Sequence, residues 1–390
     1  MCAIKVVEIV EATVGGIREQ IRQIAENIDR ERFDLTLVCS THRDPGYAGE
    51  LARHAAAGIS VIEVPMVRAI RPWQDFRCYR AIRRILAGQR FDVIHTHGSK
   101  AGFIGREAAA GGGSYVIHTG HTFPIQWARG LKKPFYAALE RKACRHTDCP
   151  VALTEAQKQQ LIDDAICPAA KIVVVPNAAE LPPAPSPEAC RAARMKLGLP
   201  LGVPVAGMVG RMVLQKDPFV FLAAARAAVQ LNPRIHFVWV GGGPLHRAVE
   251  VMIKNWDLPA QNIHLAGDRP DARELYAAFD VLFFTTRWEG MPYAVLEAMA
   301  AGLPVVAADV PGMREIVEHG VTGYVLPREQ LAARLARLIA DEDRRKAFGD
   351  AARERIRQRH SVRQFIIRLQ ELYIAGAAKA ATSDGRSATT

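Results

Sequence analysis

Short apolar runs rich in β-branched residues alternate along this chain with longer segments of helical period, and one proline-dense stretch divides the alternation into two series. The first series places strands at Ile4 to Val10, Leu35 to Cys39, Ile59 to Val64, Val93 to His95, Tyr115 to Ile117 and Ile172 to Val175. Runs of this kind, spaced by helices, belong to a parallel sheet covered on both faces, so the rhythm predicts a doubly wound α/β domain. It stops at PNAAELPPAPSPEAC, Pro176 to Cys190, where five prolines exclude both helix interior and central strand. A second series follows, with strands at Val203 to Val209, Ile235 to Val240, Ile263 to Leu265, Val281 to Phe284 and Val305 to Ala307. Two doubly wound domains in tandem are expected to face each other across a cleft. The boundaries read as an amino-terminal domain over 1–177, a proline-rich linker over 178–190, a second domain over 191–360, a closing helix over 361–376 and a disordered tail over 377–390. The closing helix carries Phe365, Ile366, Leu369 and Leu372 at the spacing of one buried face.

At 390 residues, about half of them apolar, the chain can bury two ordinary cores. Its amino-terminal apolar run is interrupted by Lys5 and Glu8, so neither a spanning helix nor a signal peptide is expected. Seven cysteines (Cys2, Cys39, Cys78, Cys144, Cys149, Cys167 and Cys190) show no C-x-x-C pair, which fits free thiols in a reducing compartment and a cytoplasmic location. Cys144, His146 and Cys149 lack a second cluster, so no zinc site is expected from them. A formal charge of +11 calls for an anionic partner. Aromatic residues are sparse and no RNA-binding strand signature or zinc-finger spacing occurs, so phosphate and membrane surfaces move ahead of nucleic acid.

In parallel α/β sheets ligands gather where strands end and helices begin, because helix amino termini there present unpaired N–H groups and partial positive charge. After Val281 to Phe284 comes TTRWEGMPYAVLEAMAAGLPVV, in which Glu289 and Glu297 bracket a helix start and Pro292 suits a first turn. A carboxylate there can grip sugar hydroxyls while the backbone from Gly290 through Met291, Pro292 and Tyr293 faces phosphate oxygens. A surface role for Glu297 is an equal reading of that residue alone. GMVGRMVLQKDPF sets Arg211 and Lys216 between a strand and a helix that Asp217 caps and Pro218 opens, an arrangement suited to a diphosphate. VWVGGGPLHRAVE adds a glycine turn, Gly242 and Gly243 included, that lets backbone approach a ligand closely.

These three loops together resemble the group 1 (family 4) retaining glycosyltransferases of the GT-B fold. Glu289 and Glu297 in EGMPYAVLE satisfy the E-x7-E signature, GRMVLQK is similar to the G-R-x5-K element with one residue fewer, and VGGGPL resembles the family's glycine turn. The resemblance implies that Glu297 binds the nucleotide ribose, Glu289 the donor sugar, and Arg211 and Lys216 the diphosphate. It further implies that the closing helix crosses back to the amino-terminal domain. In the first half, EATVGGIREQ resembles the glycine-glycine loop after the first strand, where Gly15 and Gly16 would let donor phosphates or acceptor approach a helix amino terminus. His121 in VIHTGHTFP matches the histidine that faces the reacting sugar, whereas His95, His97 and His118 fit structural roles better. VVVPNAAEL departs from the family at Ala178, where glycine is usual, and leaves the hinge geometry open.

The function so implied is transfer of a sugar, with retention and without a metal or other cofactor, from a nucleotide-sugar donor, a UDP-sugar by preference, to a hydroxyl of a lipid-linked glycan in surface polysaccharide biosynthesis. Asp341 to Asp343, which superficially satisfies D-x-D, lies in a charged helical run and reads as a solvated face. Two basic stretches interleaved with aromatics, Arg68 to Arg90 and Arg129 to Arg145, suggest peripheral contact with the inner face of an anionic membrane; an ordinary packed helix with a basic face is the alternative for each. Rival readings are a GT-B nucleotide-sugar 2-epimerase, a noncatalytic nucleotide-sugar binder and a nucleic-acid-binding protein.

Overall fold

The computed structural model describes residues 3–256 and 258–383, which divide into two compact units, one made of residues 1–177 with 362–390 and the other of residues 178–361. Within the first unit, strands β1 (Ile4–Val10), β2 (Phe33–Cys39), β3 (Ser60–Glu63), β4 (Val93–His97), β5 (Tyr115–Thr119), β6 (Cys149–Ala152) and β7 (Val173–Val174) form one sheet in the order β3-β2-β1-β4-β5-β6-β7. All its pairings are parallel. The second unit contains β8 (Val205–Val209), β9 (His236–Val240), β10 (Ile263–Gly267), β11 (Val281–Phe284), β12 (Val305–Ala308) and β13 (Gly323–Leu326), ordered β10-β9-β8-β11-β12-β13 and again parallel. Both sheets are therefore doubly wound in the Rossmann manner, with the strand order reversing between β1 and β4 and between β8 and β11. At such a reversal the loops leaving neighbouring strands diverge, and the space between them is where these folds hold ligands.

Burial follows the sequence pattern. Val6, Val7, Ile9 and Val10 of β1 are fully buried, as a central strand with helices on both faces requires. In the second unit Phe221, from the helix Pro218–Leu231, meets Trp239 edge-on at 5.0 Å and Phe237 at 5.8 Å, and lies 5.7 Å from Phe283. Burying each such ring stabilises the fold by roughly 2–3 kcal/mol, so this aromatic cluster anchors the strands that carry the loops described below.

Four boundaries differ from the sequence reading. The strands Cys149–Ala152 and Gly323–Leu326 are additional; Pro150 and Gly323 mask them, since neither residue favours a strand. The stretch read as linker to residue 190 already contains a helix, Pro187–Lys196, because Ser186 accepts a hydrogen bond from Ala189 N (3.2 Å) and Pro187 occupies the first turn. The closing helix runs Val362–Ser383 rather than ending at 376. Alanines carry it onward, Ala380 is buried, and the Lys379 ammonium lies 5.5 Å from the centre of the Tyr115 ring. Of the segment read as a disordered tail, 377–383 is thus helical, and 384–390 lie outside the described residues. This helix belongs to the first unit and packs on β1, β4, β5 and the helix Gly15–Asn27.

Not all of the cysteines are free thiols. Cys144, at the end of the helix Lys132–Cys144, forms a disulfide with Cys167, so the expectation of free thiols throughout does not hold; the turn after the helix Glu155–Asp163 brings the two Cα atoms to 6.1 Å. Cys39, Cys78 and Cys149 are free and buried. Asp341 has a specific task as well: its carboxylate caps the helix Glu342–Arg359 by accepting from Arg344 N (3.0 Å).

Candidate functional site

Three strand-to-helix loops of the second unit converge at the reversal between β8 and β11. After β8 the chain passes Gly210 and Arg211, makes a short 3-10 turn at Leu214–Lys216 and enters the helix Pro218–Leu231. Asp217 adopts φ 53° and caps that helix through Val220 N. Its fully buried carboxylate also takes hydrogen bonds from Arg287 Nε (2.7 Å) and Nη2 (3.1 Å), with Arg328 at 3.4 Å. The loop after β11 is laced to the first. Arg287 N donates to Gln215 O (2.7 Å), Gln215 Nε2 to Trp288 O (3.0 Å), and Thr286 Oγ1 to Gln215 O (3.0 Å).

This lacing brings together two residues predicted from sequence. Lys216 Nζ lies 2.6 Å from Glu289 Oε1, which Thr286 Oγ1 also approaches at 2.9 Å, and the ammonium sits 4.7 Å from the centre of the Phe284 ring. Both side chains are largely buried, so solvent screens their attraction less than at the surface, and removal of either would leave the other charge buried without its partner. The Arg211 side chain is exposed, and among the described residues its guanidinium has no ion-pair partner. Glu289 is followed by buried Gly290, Met291, Pro292 and Tyr293, where the helix Tyr293–Ala300 begins. One turn on, half-buried Glu297 meets the Tyr276 hydroxyl at 3.0 Å and Arg273 Nε at 3.3 Å. Burial, with the Glu297 charge beside it, pushes the Tyr276 phenol well above its ordinary range, so this hydroxyl remains a donor. Glu297 is therefore a held residue rather than a bare surface glutamate.

The glycine turn after β9 has a structural explanation of its own. A Cβ on Gly241 would stand 2.2 Å from Gly210 O, and one on Gly243 would stand 2.6 Å from Met212 O. Glycine is required because the β8 loop lies directly against this turn, where Met212 N donates to Gly242 O at 2.6 Å. Gly242 N donates in turn to Asp268 Oδ1 (2.7 Å).

In the first unit the loop after β1 reaches Gly15, which takes φ 61° at the start of the helix Gly15–Asn27, with Gly16 next to it. An added Cβ at Gly15 would touch nothing within 4 Å, so the backbone torsion rather than crowding selects glycine. Buried Glu11 precedes it; burial raises its carboxyl above the ordinary value despite Arg43 at 3.4 Å. His121 follows β5 in the left-handed region at φ 52°, a strained torsion for a residue with a side chain. Its carbonyl is pinned by Gln157 Nε2 at 3.2 Å. The His121 ring does not stand alone. His121 Nε2 lies 3.4 Å from His97 Nδ1, and His97 Nε2 lies 2.5 Å from Glu8 Oε2. The Tyr373 hydroxyl of the closing helix donates to the other oxygen of Glu8 and lies 2.8 Å from His95 Nδ1, whose Nε2 meets Thr119 Oγ1 at 2.8 Å. His118 is bound by Thr96 through Oγ1 (2.9 Å) and O (3.1 Å), a structural placement.

Burial, and the charge of His95, push the His97 ring down to about 4, and burial likewise lowers His121. Burial opposes ionisation of Glu8, but the bonds and charges of His95 and His97 prevail and hold its carboxyl far below the ordinary range. Ligand atoms of Glu8, His95 and His97 all lie within 4.8 Å of one another, a spacing a divalent cation can bridge, yet here they are engaged with each other and with Tyr373 and Thr119. Sequence reasoning missed Glu8, Thr286, Arg287, Arg273 and Tyr276. Only Glu8 left a signal, as an acid set between Val7 and Ile9 in a central strand.

Comparison with known proteins identifies the family and the fold. Residues 191–355 match the glycosyl transferases group 1 family, and residues 15–178 match the glycosyl transferase 4-like domain. The chain is 32% identical over 368 residues to a D-inositol 3-phosphate glycosyltransferase of Thermobispora bispora, covering 87% of this chain and 85% of that protein. It is 28% identical over 369 residues to the UDP-Gal:alpha-D-GlcNAc-diphosphoundecaprenol alpha-1,3-galactosyltransferase of Escherichia coli, covering 93% of this chain and 94% of the relative. Among solved structures, Anabaena HepE in complex with UDP-glucose superposes with a TM-score of 0.80 at 21% identity, covering 95% of this chain and all of that one. Sucrose-phosphate synthase from Thermosynechococcus elongatus does so with 0.80 at 19% identity, covering 96% and 99%. Two Rossmann-like units, the E-x7-E helix start and these relatives converge: the chain belongs to the group 1 glycosyltransferases and is a glycosyltransferase of the GT-B fold.

Proposed function

We propose that the protein transfers a sugar from a UDP-sugar, with retention of anomeric configuration and without a metal, to a hydroxyl of a lipid-linked glycan in surface polysaccharide biosynthesis. The observation that carries the donor half of this reading is the 2.6 Å contact between Lys216 and Glu289. The cation assigned to the diphosphate and the carboxylate assigned to the sugar sit side by side at a sheet reversal, so one loop pair can hold both moieties of a nucleotide sugar. Arg211, exposed at the same strand end, supplies the second positive charge, and the amino terminus of the helix Tyr293–Ala300 adds its N–H groups. Charge that builds on the leaving diphosphate is then met by groups already in place, which is the efficient form of electrostatic catalysis. Glu297, steadied by Tyr276 and Arg273, is positioned to take ribose hydroxyls. His121 meets the transferred sugar.

The relatives support the choice of substrate class, since one of them uses UDP-Gal and an undecaprenol-linked acceptor and a structural neighbour holds UDP-glucose. Replacing Arg211 with Ala is expected to lower transfer at least 100-fold, on the order of the cost of removing one preorganised transition-state donor, with an unchanged melting temperature. Undiminished turnover in that variant would remove the charge-stabilisation argument.

The acceptor unit is proposed to work at the inner, cytoplasmic face of a membrane. Among the described residues no helix is long and apolar enough to cross a bilayer. The helix Pro72–Gly88 instead displays Trp73, 76% exposed, and Phe76 beside Arg77, Arg80 and Arg84. The stretch before Phe135 displays Leu131, 91% exposed, beside Lys132 and Lys133. Exposed apolar side chains ringed by cations suit an anionic lipid surface. Vesicles with about a third anionic lipid should sediment the protein at low salt, and exchange of Trp73 and Leu131 for Ser should release it.

A further inference from the structure

We infer that Glu8, acting through His97, dictates which ring nitrogen of His121 carries the proton, so that His121 presents Nδ1 to the donor sugar as a hydrogen-bond acceptor. The inference rests on the reading that His121 meets the transferred sugar. The chain of contacts is one of atoms with fixed capacities. An ionised carboxylate only accepts; one Glu8 oxygen takes the Tyr373 hydroxyl, and the other takes His97 Nε2 at 2.5 Å, with His95 Nδ1 at 3.3 Å from that same oxygen. A neutral imidazole has a single N–H, so a His97 that donates from Nε2 keeps a lone pair on Nδ1. That lone pair faces His121 Nε2 at 3.4 Å. Two nitrogens at this separation are complementary only when one carries the proton, so the proton belongs to His121 Nε2 and the lone pair to His121 Nδ1.

Everything around the relay agrees in polarity. Burial keeps both rings neutral and their two bonds to Glu8 and to each other specific. His95 Nδ1 lies 2.8 Å from the Tyr373 oxygen and can donate to it while that hydroxyl donates to Glu8. The backbone of His121 is fixed by Gln157 and by its left-handed torsion, which aims the ring. Glu8 and His97 are thus positioning residues: neither touches the sugar, but they set the sign of the hydrogen bond that His121 offers. A sugar hydroxyl donates to Nδ1, whereas the opposite tautomer would present an N–H there. The closing helix contributes through Tyr373, so its return to the first unit completes the relay.

The tautomer is directly visible. Full-length protein labelled with 15N-histidine and free of substrate should show His121, assigned by loss of its signals in His121→Gln, protonated at Nε2 and bare at Nδ1. Glu8→Leu should populate the other tautomer and lower kcat by about tenfold or more while the donor KM changes by less than about threefold, the scale seen when outer partners of a functional histidine are removed. Glu8→Gln, whose amide oxygen still accepts from His97, should restore kcat to within about threefold of wild type. A wild-type His121 protonated at Nδ1 would overturn the inference, and because that spectrum needs no variant it decides even if Glu8→Leu does not fold. Unchanged kcat and unchanged tautomer in a folded Glu8→Leu protein would overturn it too, as would stoichiometric Zn²⁺ displacing the Glu8–His97 bond. The spectrum is read without a donor, so the relay can fail while Arg211→Ala still abolishes transfer, and the reverse outcome is equally distinguishable.

Discussion

His121 follows a strand and Asp217 caps a helix, and each holds a left-handed backbone torsion although neither is glycine. Such torsions cost on the order of 1–3 kcal/mol each and persist where surrounding bonds over-determine them. Here Gln157 holds the one, and the cap to Val220 with Arg287 holds the other. Burial gives the histidines a measurable signature. His97 is lowered to about 4 from an ordinary 6.5, and His121 is lowered as well, so the unfolded chain binds these protons more readily than the folded one. Their contribution to stability is therefore complete above pH 6.5 and declines as pH falls toward 4, by an amount on the order of 3 kcal/mol for His97. Glu8 acts in the same direction but in a lower window: its contribution is present above its unfolded value of 4.5 and is lost as pH falls below that, so the interval between 4.5 and 6.5 belongs to the histidines. The melting temperature should drop steadily across that interval, and a flat profile would contradict the buried, neutral assignment. At this scale the sequence showed which residue types stand at strand ends, but not their partners. Lys216 and Glu289 are 73 positions apart, and only the pairing of β8 with β11 makes them neighbours.

Elements were legible wherever local chemistry and burial agreed. The run Val281 to Phe284 appears unchanged as β11, because nothing in it competes with a strand. Cys149–Ala152 was hidden by its proline, and the length of the closing helix by a polar tail that follows helix-forming alanines. The glycine turn after β9 was legible as a turn, yet its crowding against the β8 loop could not be read from spacing. Asp217 joins both levels, capping one helix while bonding Arg287 from the neighbouring loop. Asp217→Ala should lower stability by about 1–2 kcal/mol through loss of the cap, and should loosen the loop that carries Glu289. Thermal denaturation together with donor affinity tests both parts; an unchanged melting temperature would mean that the cap is dispensable.

For the molecule as a whole, two architectural series separated by prolines announced two Rossmann-like units, while the assignment of the closing helix to the first unit came from resemblance and is explained by Tyr373. Removing residues 362–390 should unfold the first unit, whose buried Glu8 loses the Tyr373 hydroxyl, and leave the second with its aromatic core. Residues 178–361 expressed alone should therefore show a cooperative transition and bind UDP, as calorimetry can establish. In the proposed function a diphosphate rests where the loops after β8 and β11 meet, and a crystal of the full chain soaked with UDP would show whether it does. Phosphate oxygens are expected to bond Arg211, Lys216 and the N–H groups at Tyr293, with the ribose at Glu297; a nucleotide lodged elsewhere, with these residues untouched, would contradict that placement.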